Sequence, residues 1–241
     1  MPTLSVVIPT YDEAPLVADA VRCAAAIGDE VVVVDGGSAD GTADVARAAR
    51  ARVVRSAKGR GVQLRAGAQA ARGDVLLFLH ADARLAPSAR RAILDALADP
   101  QVVGGAFYIR FLPRSWFTRF LEPFNDLRRR VTRRYYGDTA LFVRRDAYWR
   151  LGGHRPWPVM HDYEFSGRME RSGPCAYVTE PCVWASARRF AGRELRVFAT
   201  WVSIQLLYWL FVPPRWLGRL YPDVRGGSPQ RFVALARRCT G

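Results

Sequence analysis

Acidic and basic side chains in this 241-residue sequence gather at the ends of apolar runs and beside glycines, where a ligand can reach them. Asp35 closes the run VVVV, and Asp82 follows VLLFL through His80 and Ala81. Carboxylate oxygens suit hard cations such as Mg2+ and Mn2+, so Asp82 can hold one; it can equally finish a turn or cap a helix. Asp35 with Ser38 has the same plain alternative, a turn and a helix cap. The segment Lys58-Gly59-Arg60-Gly61 sets two cations among glycines. Glycines let backbone approach an anion, and the cations offset its charge, although alone this is a basic turn. His161-Asp162 opens a helical stretch. Asp162 sits there where a helix N-cap would. Asp138 precedes a further apolar run, and Arg188-Arg189 form a second basic pair.

The elements that must position these residues alternate through the first half. Apolar patterning predicts strands at 4–9, 30–34, 52–55 and 75–79, and helices at 13–27, 42–51, from about 61 towards 73, and 88–98. Unbroken apolar runs suit parallel strands covered on both faces. Open sheets of that kind take ligands beyond the carboxyl ends of their strands. The second half is less regular: strands at 102–111, 139–143 and 175–179, helices at 115–130, 145–151 and 162–171, and a Gly- and Pro-containing loop at 152–161. Residues 197–212 carry no formal charge, and Pro213-Pro214 ends them. As a helix they reach about 24 Å, short of the roughly 20 residues of a membrane span. Arginines flank the run on both sides. It is expected either to lie at a membrane interface or to pack on the core or a second copy. The division expected is a catalytic domain over 1–185 and a helical extension over 186–241.

The formal net charge is +14, almost all of the positive charge being arginine, since Lys58 is the single lysine. A basic surface favours an anionic membrane, a phosphorylated ligand or nucleic acid, although arginine-rich composition alone gives the same charge. No nucleic-acid-binding module is present, so nucleic acid is not expected as a partner. Cys23, Cys175, Cys182 and Cys239 have neither zinc-site nor disulfide-framework spacing. The sequence opens on a strand without a charged leader and long apolar segment, so a cytoplasmic location is expected, with peripheral contact at the inner face of the membrane.

Seven motifs occur in order: PTYDEA, VVDGGSADGT, KGRGVQL, GDVLLFLHAD, GGAFYIRF, YGDTALFVRR and MHDYEFSGRM. Together they resemble the inverting family 2 glycosyltransferases and, within them, a small bacterial branch associated with radical-SAM or selenodomain proteins. The resemblance implies an α/β GT-A fold: a Rossmann-like, mostly parallel central sheet flanked by helices, here with a C-terminal apolar helical segment. It implies a nucleotide-diphospho-sugar donor, UDP- or GDP-linked, and a hydroxyl acceptor of lipid or apolar character. Pro9, Tyr11 and Glu13 match the segment beside the base and ribose. Asp35 matches the nucleoside-side acid, with Gly36 where many relatives carry a second one. Lys58, Arg60 and Gln63 fall in the donor loop. His80-Ala81-Asp82 stands at the metal motif, so Asp82 is expected to bind Mg2+ or Mn2+ and Ala81 to line the donor site; His80 departs from the usual first acid. His161-Asp162 stands at a Glu-Asp pair, which implies Asp162 as base and His161 as its neighbour at the acceptor. Asp138 is expected to shape the acceptor pocket, and Arg188 or Arg189 to meet the diphosphate.

Rival classes have weaker support. A nicotinamide enzyme would carry GxGxxG after the first strand, where PTYDEA stands. A sugar nucleotidyltransferase shares nucleotide chemistry but releases pyrophosphate. A sugar-nucleotide-binding module without turnover fits the replaced acids at 36, 80 and 161. A homodimer through 197–212 is a further expectation.

Overall fold

The computed structural model describes residues 1–220 and 229–240. Strands β1 (Leu4–Thr10), β2 (Glu30–Asp35), β3 (Arg52–Arg55) and β4 (Val75–Phe78) run parallel. Their side chains alternate between two cores, as strands covered on both faces require. Leu4, Val6, Ile8, Val31, Val33 and Leu77 face one core. Val7, Val32, Val34 and Leu76 face the other. Helices α1 (Ala14–Ala25), α2 (Thr42–Ala48) and α4 (Ala89–Ala96) cover the first core. Helices α3 (Arg60–Ala70), α6 (Arg145–Arg150) and α7 (His161–Ser172) cover the second. In α1, Pro15 sits in the first turn, where a missing N–H leaves no broken bond, and Leu16, Val17, Ala20, Val21 and Ala24 form the buried stripe.

The other half of the sheet corrects the expected architecture. Strands β5 (Ala83–Arg84), β6 (Gly104–Leu112), β7 (Phe142–Arg144) and β8 (Cys175–Ser186) complete the order β3-β2-β1-β4-β7-β6-β8-β5. β7 is antiparallel to both β4 and β6, and β5 is antiparallel to β8. The sheet is therefore mixed rather than mostly parallel. Composition does not encode strand direction; connections do, and the excursion through α5 (Trp116–Thr132) between β6 and β7 reverses the chain.

The expected C-terminal apolar segment is corrected as well. Its uncharged run lies within α8 (Glu194–Trp209) and the corner that follows, and among the described residues no helix is long and apolar enough to cross a membrane. Phe198 of α8 packs edge-on against Phe117 and Phe124 of α5, and Trp201 against Phe190. Helix α9 (Pro214–Leu220) follows, and α10 (Pro229–Thr240) returns to α1, where Phe232 and Ala236 join Leu16 and Leu112.

Three connections bring the chemistry-bearing segments to one edge. Thr10 is level with Asp35 across β1 and β2, so the segments after both strands emerge together. Phe142 pairs with Leu77, so residues 137–141 run beyond the end of β4, beside 79–82. Ser186 at the end of β8 donates its N–H to the Asp82 carbonyl at 2.9 Å, and Arg188 and Arg189 follow at once. Beneath the 80–82 turn, Arg84 is fully buried. Its Nε meets Asp19 Oδ2 at 2.9 Å, and its Nη1 donates to the Ala81 and Ala83 carbonyls at 2.8 and 2.7 Å. Arg237 of α10 pairs with the same Asp19 at 2.6 Å. A buried guanidinium is tolerable only when paired and hydrogen-bonded in this way.

Candidate active site

The corner beyond β1 and β2 is built from short polar links. Asp35 is buried and accepts the Ser38 N–H through both oxygens at 3.2 Å. Asp12, at φ 49°, donates its N–H to Ser38 Oγ and accepts from the Ala39 N–H, each at 2.8 Å. These bonds hold the segment 9–13 over Asp35. Lys58 Nζ lies 4.0 Å above the Tyr11 ring, a cation–π contact that places the basic loop beside it. Gln63 is buried, and its Nε2 donates to the Thr10 and Val34 carbonyls at 2.7 and 2.9 Å. In this geometry Gln63 is a strut joining the ends of β1 and β2. A Cβ on Gly36 would come within 3.1 Å of that amide, so a side chain there would press on the Gln63 strut.

The turn after β4 carries the first buried carboxylate. Asp82 Oδ2 lies 3.4 Å from Arg188 Nη2 and 3.8 Å from Arg189 Nη2. Burial disfavours its charge, yet Arg189 and Arg188 outweigh burial and hold the carboxyl well below its usual range. Arg188 also pairs with Glu13. Burial and the nearby Asp82 push Glu13 upward, against that arginine. His80 is buried, and burial together with the Arg60 charge lowers its pKa to about 3, so it stands neutral.

Asp82 is the only carboxylate of the His80-Ala81-Asp82 turn. Among the described residues no group of three His, Cys, Asp or Glu side chains could hold a metal by itself. Mg2+ and Mn2+ beside diphosphates need just one or two carboxylates, the remaining ligands being phosphate oxygens and water. Asp82 supplies one such carboxylate at the end of β4.

The second carboxylate, Asp162, is partly buried. The cap of α7 is Met160, in the left-handed region at φ 62°, so Asp162 lies in the first turn and is not the cap. Its Oδ1 is 3.2 Å from His154 Nε2 and its Oδ2 is 3.0 Å from His161 Nε2. Burial disfavours its charge, but His161 and His154 outweigh burial and hold it well below the carboxylate range. His154 is itself driven towards the neutral form by burial, against the pull of Asp162. Its Nδ1 faces the Tyr148 hydroxyl at 3.2 Å, while its backbone N–H donates to that same hydroxyl at 3.0 Å. A neutral ring that accepts at Nδ1 carries its proton at Nε2, which stands 3.2 Å from Asp162 Oδ1 without hydrogen-bond alignment. Gly137 makes this approach possible: a Cβ there would stand 2.1 Å from Asp162 Oδ2 and 3.1 Å from His80 Nε2. Asp138 follows, pushed up to about 6 by burial and by Asp162, with Arg128 opposing.

Thus Asp82, Glu13, Arg188 and Arg189 come together, as do Asp162, His161 and Asp138, with His80 between the two groups. Asp35, Tyr11, Lys58 and Arg60 border the first group. His154 and Tyr148 were not singled out from sequence, whereas Gly137 stands with Asp138 in the YGDTALFVRR motif. One signal was available: the chain has three histidines, and all three stand around Asp162.

Residues 5–152 match the family described as glycosyl transferase family 2. No curated protein sequence matches the chain. Among solved structures, glucosyl-3-phosphoglycerate synthase from Mycobacterium tuberculosis, in complex with Mn2+, UDP and glucosyl-3-phosphoglycerate, superposes with a TM-score of 0.63 at 21% identity, over 88% of this chain and 81% of that one. Staphylococcus aureus TarS superposes at 0.62 with 14% identity, over 84% of this chain and 39% of that one. A mycobacterial protein superposes at 0.57 with 21% identity, over 77% of this chain and 65% of that one. This chain therefore spans about two thirds of the mycobacterial protein and well under half of TarS. At these identities the likeness is one of fold.

Proposed function

The chain belongs to glycosyl transferase family 2, a family of glycosyltransferases, and from that premise we propose that it transfers one sugar, with inversion, from a nucleotide-diphospho-sugar to an acceptor hydroxyl. The observation that carries this reading is the pair of carboxylates at one sheet edge, Asp82 buried beside two guanidiniums and Asp162 partly buried between two imidazoles. Pro9, Tyr11, Glu13 and Asp35 hold the nucleoside, and Lys58, Arg60 and Ala81 line the path of the diphosphate. Arg188 and Arg189 offset its charge as it leaves. A Mg2+ or Mn2+ ion held by Asp82 supplies further charge neutralisation there when bound. Asp162 takes the proton from the acceptor hydroxyl as that oxygen attacks the anomeric carbon, and His161 and Asp138 border the acceptor. The narrower placement in the radical-SAM- or selenodomain-associated bacterial branch rests on the order of the seven motifs.

The acceptor is of lipid or apolar character, met at the inner face of a membrane. Among the described residues, every exposed large hydrophobic except Met1 and Trp149 lies on α5 or between 195 and 220, including Trp116, Phe120, Trp209, Phe211 and Trp216. Arg219 lies over the Trp216 ring at 4.2 Å, an aromatic–cation surface of the kind that meets anionic headgroups. Co-sedimentation with phosphatidylglycerol vesicles tests this contact; a self-associating protein that ignores vesicles would assign the face to a second copy instead.

The donor is tested by calorimetry with UDP-, GDP- and dTDP-sugars, with and without Mn2+, on wild type and Asp82→Ala. UDP is first in order, because the similar Mycobacterium tuberculosis enzyme holds UDP in its crystals. Selective binding that weakens without Mn2+ or without Asp82 is the expected result. Release of pyrophosphate instead of nucleoside diphosphate on turnover would move the chain to nucleotidyl transfer.

A further inference from the structure

A buried ion pair is often replaceable by apolar side chains at no loss of stability, so stability alone is a weak reason for the fully buried guanidinium of Arg84. Its hydrogen bonds give a stronger one. Nη1 donates to the Ala81 carbonyl at 2.8 Å and to the Ala83 carbonyl at 2.7 Å, the residues on either side of Asp82. The other two carbonyls of the turn are held as well. His80 accepts from the Ala83 N–H at 3.0 Å, and Asp82 accepts from the Ser186 N–H at 2.9 Å. Each carbonyl from His80 to Ala83 thus has a donor, and one guanidinium serves two of them. A peptide unit is planar and trans, so turning the Ala81 carbonyl towards Arg84 turns the Asp82 N–H to the opposite side. Arg84 therefore sets the direction in which Asp82 leaves the turn towards Arg188 and Arg189.

The guanidinium is itself held by two helices from opposite ends of the chain. From α1, the Leu16 carbonyl accepts from Nη2 at 3.3 Å, and Asp19 Oδ2 meets Nε at 2.9 Å. Asp19 is buried, and its Oδ1 is taken by Arg237 of α10 at 2.6 Å and by Arg22 at 3.3 Å, which leaves Oδ2 to Arg84. Phe232 of α10 is buried too, with its ring centroid 5.4 Å from the Arg84 guanidinium. The last described helix thus orients the countercharge of Arg84 and covers it with an aromatic ring. We propose that Arg84 is a positioning residue for Asp82, held in register by Asp19 and by Arg237 of α10. Metal-assisted donor binding then depends on a cluster behind the turn that meets neither metal nor donor. This inference rests on the reading of Asp82 as the carboxylate that holds Mg2+ or Mn2+ beside the diphosphate, and it makes α10 part of the donor site.

The test is calorimetric titration of the full chain with UDP and with GDP, each with and without Mn2+, on wild type, Asp82→Ala, Arg84→Lys and Arg237→Gln. Arg84→Lys keeps the charge beside Asp19 but gathers its donors on one atom, giving up the fork that spans Asp19 and the two carbonyls. The gain in nucleotide affinity on adding Mn2+ is expected to fall by about tenfold in Arg84→Lys, the scale of losing a partner behind a metal ligand. Affinity without metal is expected to stay within about twofold of wild type. Arg237 has 60% of its side chain exposed, so Arg237→Gln is expected to fold as wild type and to lose about two- to threefold of the same gain. A merely structural Arg84 would lower the melting temperature and weaken both titrations together. That result overturns the proposal, as does an Arg84→Lys protein with the wild-type gain. With Arg84→Lys unfolded, Arg237→Gln decides alone, and an unchanged gain there overturns the proposal. Asp82→Ala separates premise from inference. If it keeps the gain, or if wild type has none, the metal reading of Asp82 falls and the inference with it. Loss of the gain in Asp82→Ala beside its retention in Arg84→Lys overturns the inference alone.

Discussion

Asp82, buried, and Asp162, partly buried, are both carboxylates held below the usual range, and they are held there by different chemistry. Asp82 faces Arg188 and Arg189, whose charge does not change with pH in the working range. Asp162 faces His154 and His161, groups that can gain or lose a proton. The first arrangement suits a fixed countercharge for an anionic ligand. The second suits a group that takes a proton and passes it on. The contrast follows from topology: β8 delivers the arginines to the end of β4, whereas the 152–161 loop and the start of α7 deliver the imidazoles.

The contrast breaks first under Asp162→Asn set against Asp82→Asn. Loss of a general base costs about 10²–10⁴ in rate with the donor still bound. The expected outcome is that Asp162→Asn releases nucleoside diphosphate slower by that factor while its UDP affinity is unchanged, and that Asp82→Asn loses donor affinity in the presence of Mn2+. If the two variants lose the same quantity, rate or affinity, the carboxylates do not have separate roles.

Gly137→Ala sharpens the same point from the backbone. Its Cβ would stand 2.1 Å from Asp162 Oδ2, so the carboxylate must move. A displacement of about 1 Å in a catalytic group costs on the order of 10²-fold. Turnover should drop by about that much, with unchanged UDP binding. A fully active Gly137→Ala protein would remove Asp162 from the catalytic position.

These residues were unequally legible. The donor edge was readable because parallel strands announce themselves: Asp35 and Asp82 end unbroken apolar runs, and the sheet places such ends together. Gln63 lay in the right loop, but its amide hydrogen bonds to the β1 and β2 carbonyls could not be read from its neighbours in sequence. The acceptor edge was harder. β5 has two residues, too short for a period-2 pattern; a strand was legible at 139–143, but not the reversal at β7 that brings Gly137 and Asp138 to Asp162. His154 sits in a loop without periodicity, seven positions before His161, and only the fold turns it back towards Asp162.

If imidazoles are what keep Asp162 ionised, replacing them should expose the effect of burial. A buried carboxyl without a compensating partner titrates several units above its usual value. In wild type, the rate should therefore show no acidic limb from Asp162 down to about pH 5. In His154→Phe/His161→Phe, a limb should appear nearer about pH 6–7, measured as nucleoside-diphosphate release against pH. Rescue at high pH separates this from misfolding. A variant that is slow by the same factor at every pH would leave the imidazoles with a packing role.

The smallest effect expected concerns Asp138, the third carboxylate of this edge, which has no imidazole and only the charges of Arg128, Arg189 and Arg60 against its burial. Its pKa rises to about 6, from an ordinary 3.8, through burial first and the Asp162 charge as well. The native state then binds more protons than the unfolded state between those values, so stability falls as pH rises through that window and stays lower above it. Asparagine keeps the shape without the charge. Thermal unfolding of Asp138→Asn should match wild type near pH 4 and exceed it by a few degrees, about 2–4 °C, at pH 7.5. The histidines that destabilise the native state as pH falls are present in both proteins and cancel in the difference. A Tm difference that is independent of pH would mean that Asp138 is not held protonated by its surroundings, and that its carboxylate is balanced at this edge as fully as those of Asp82 and Asp162.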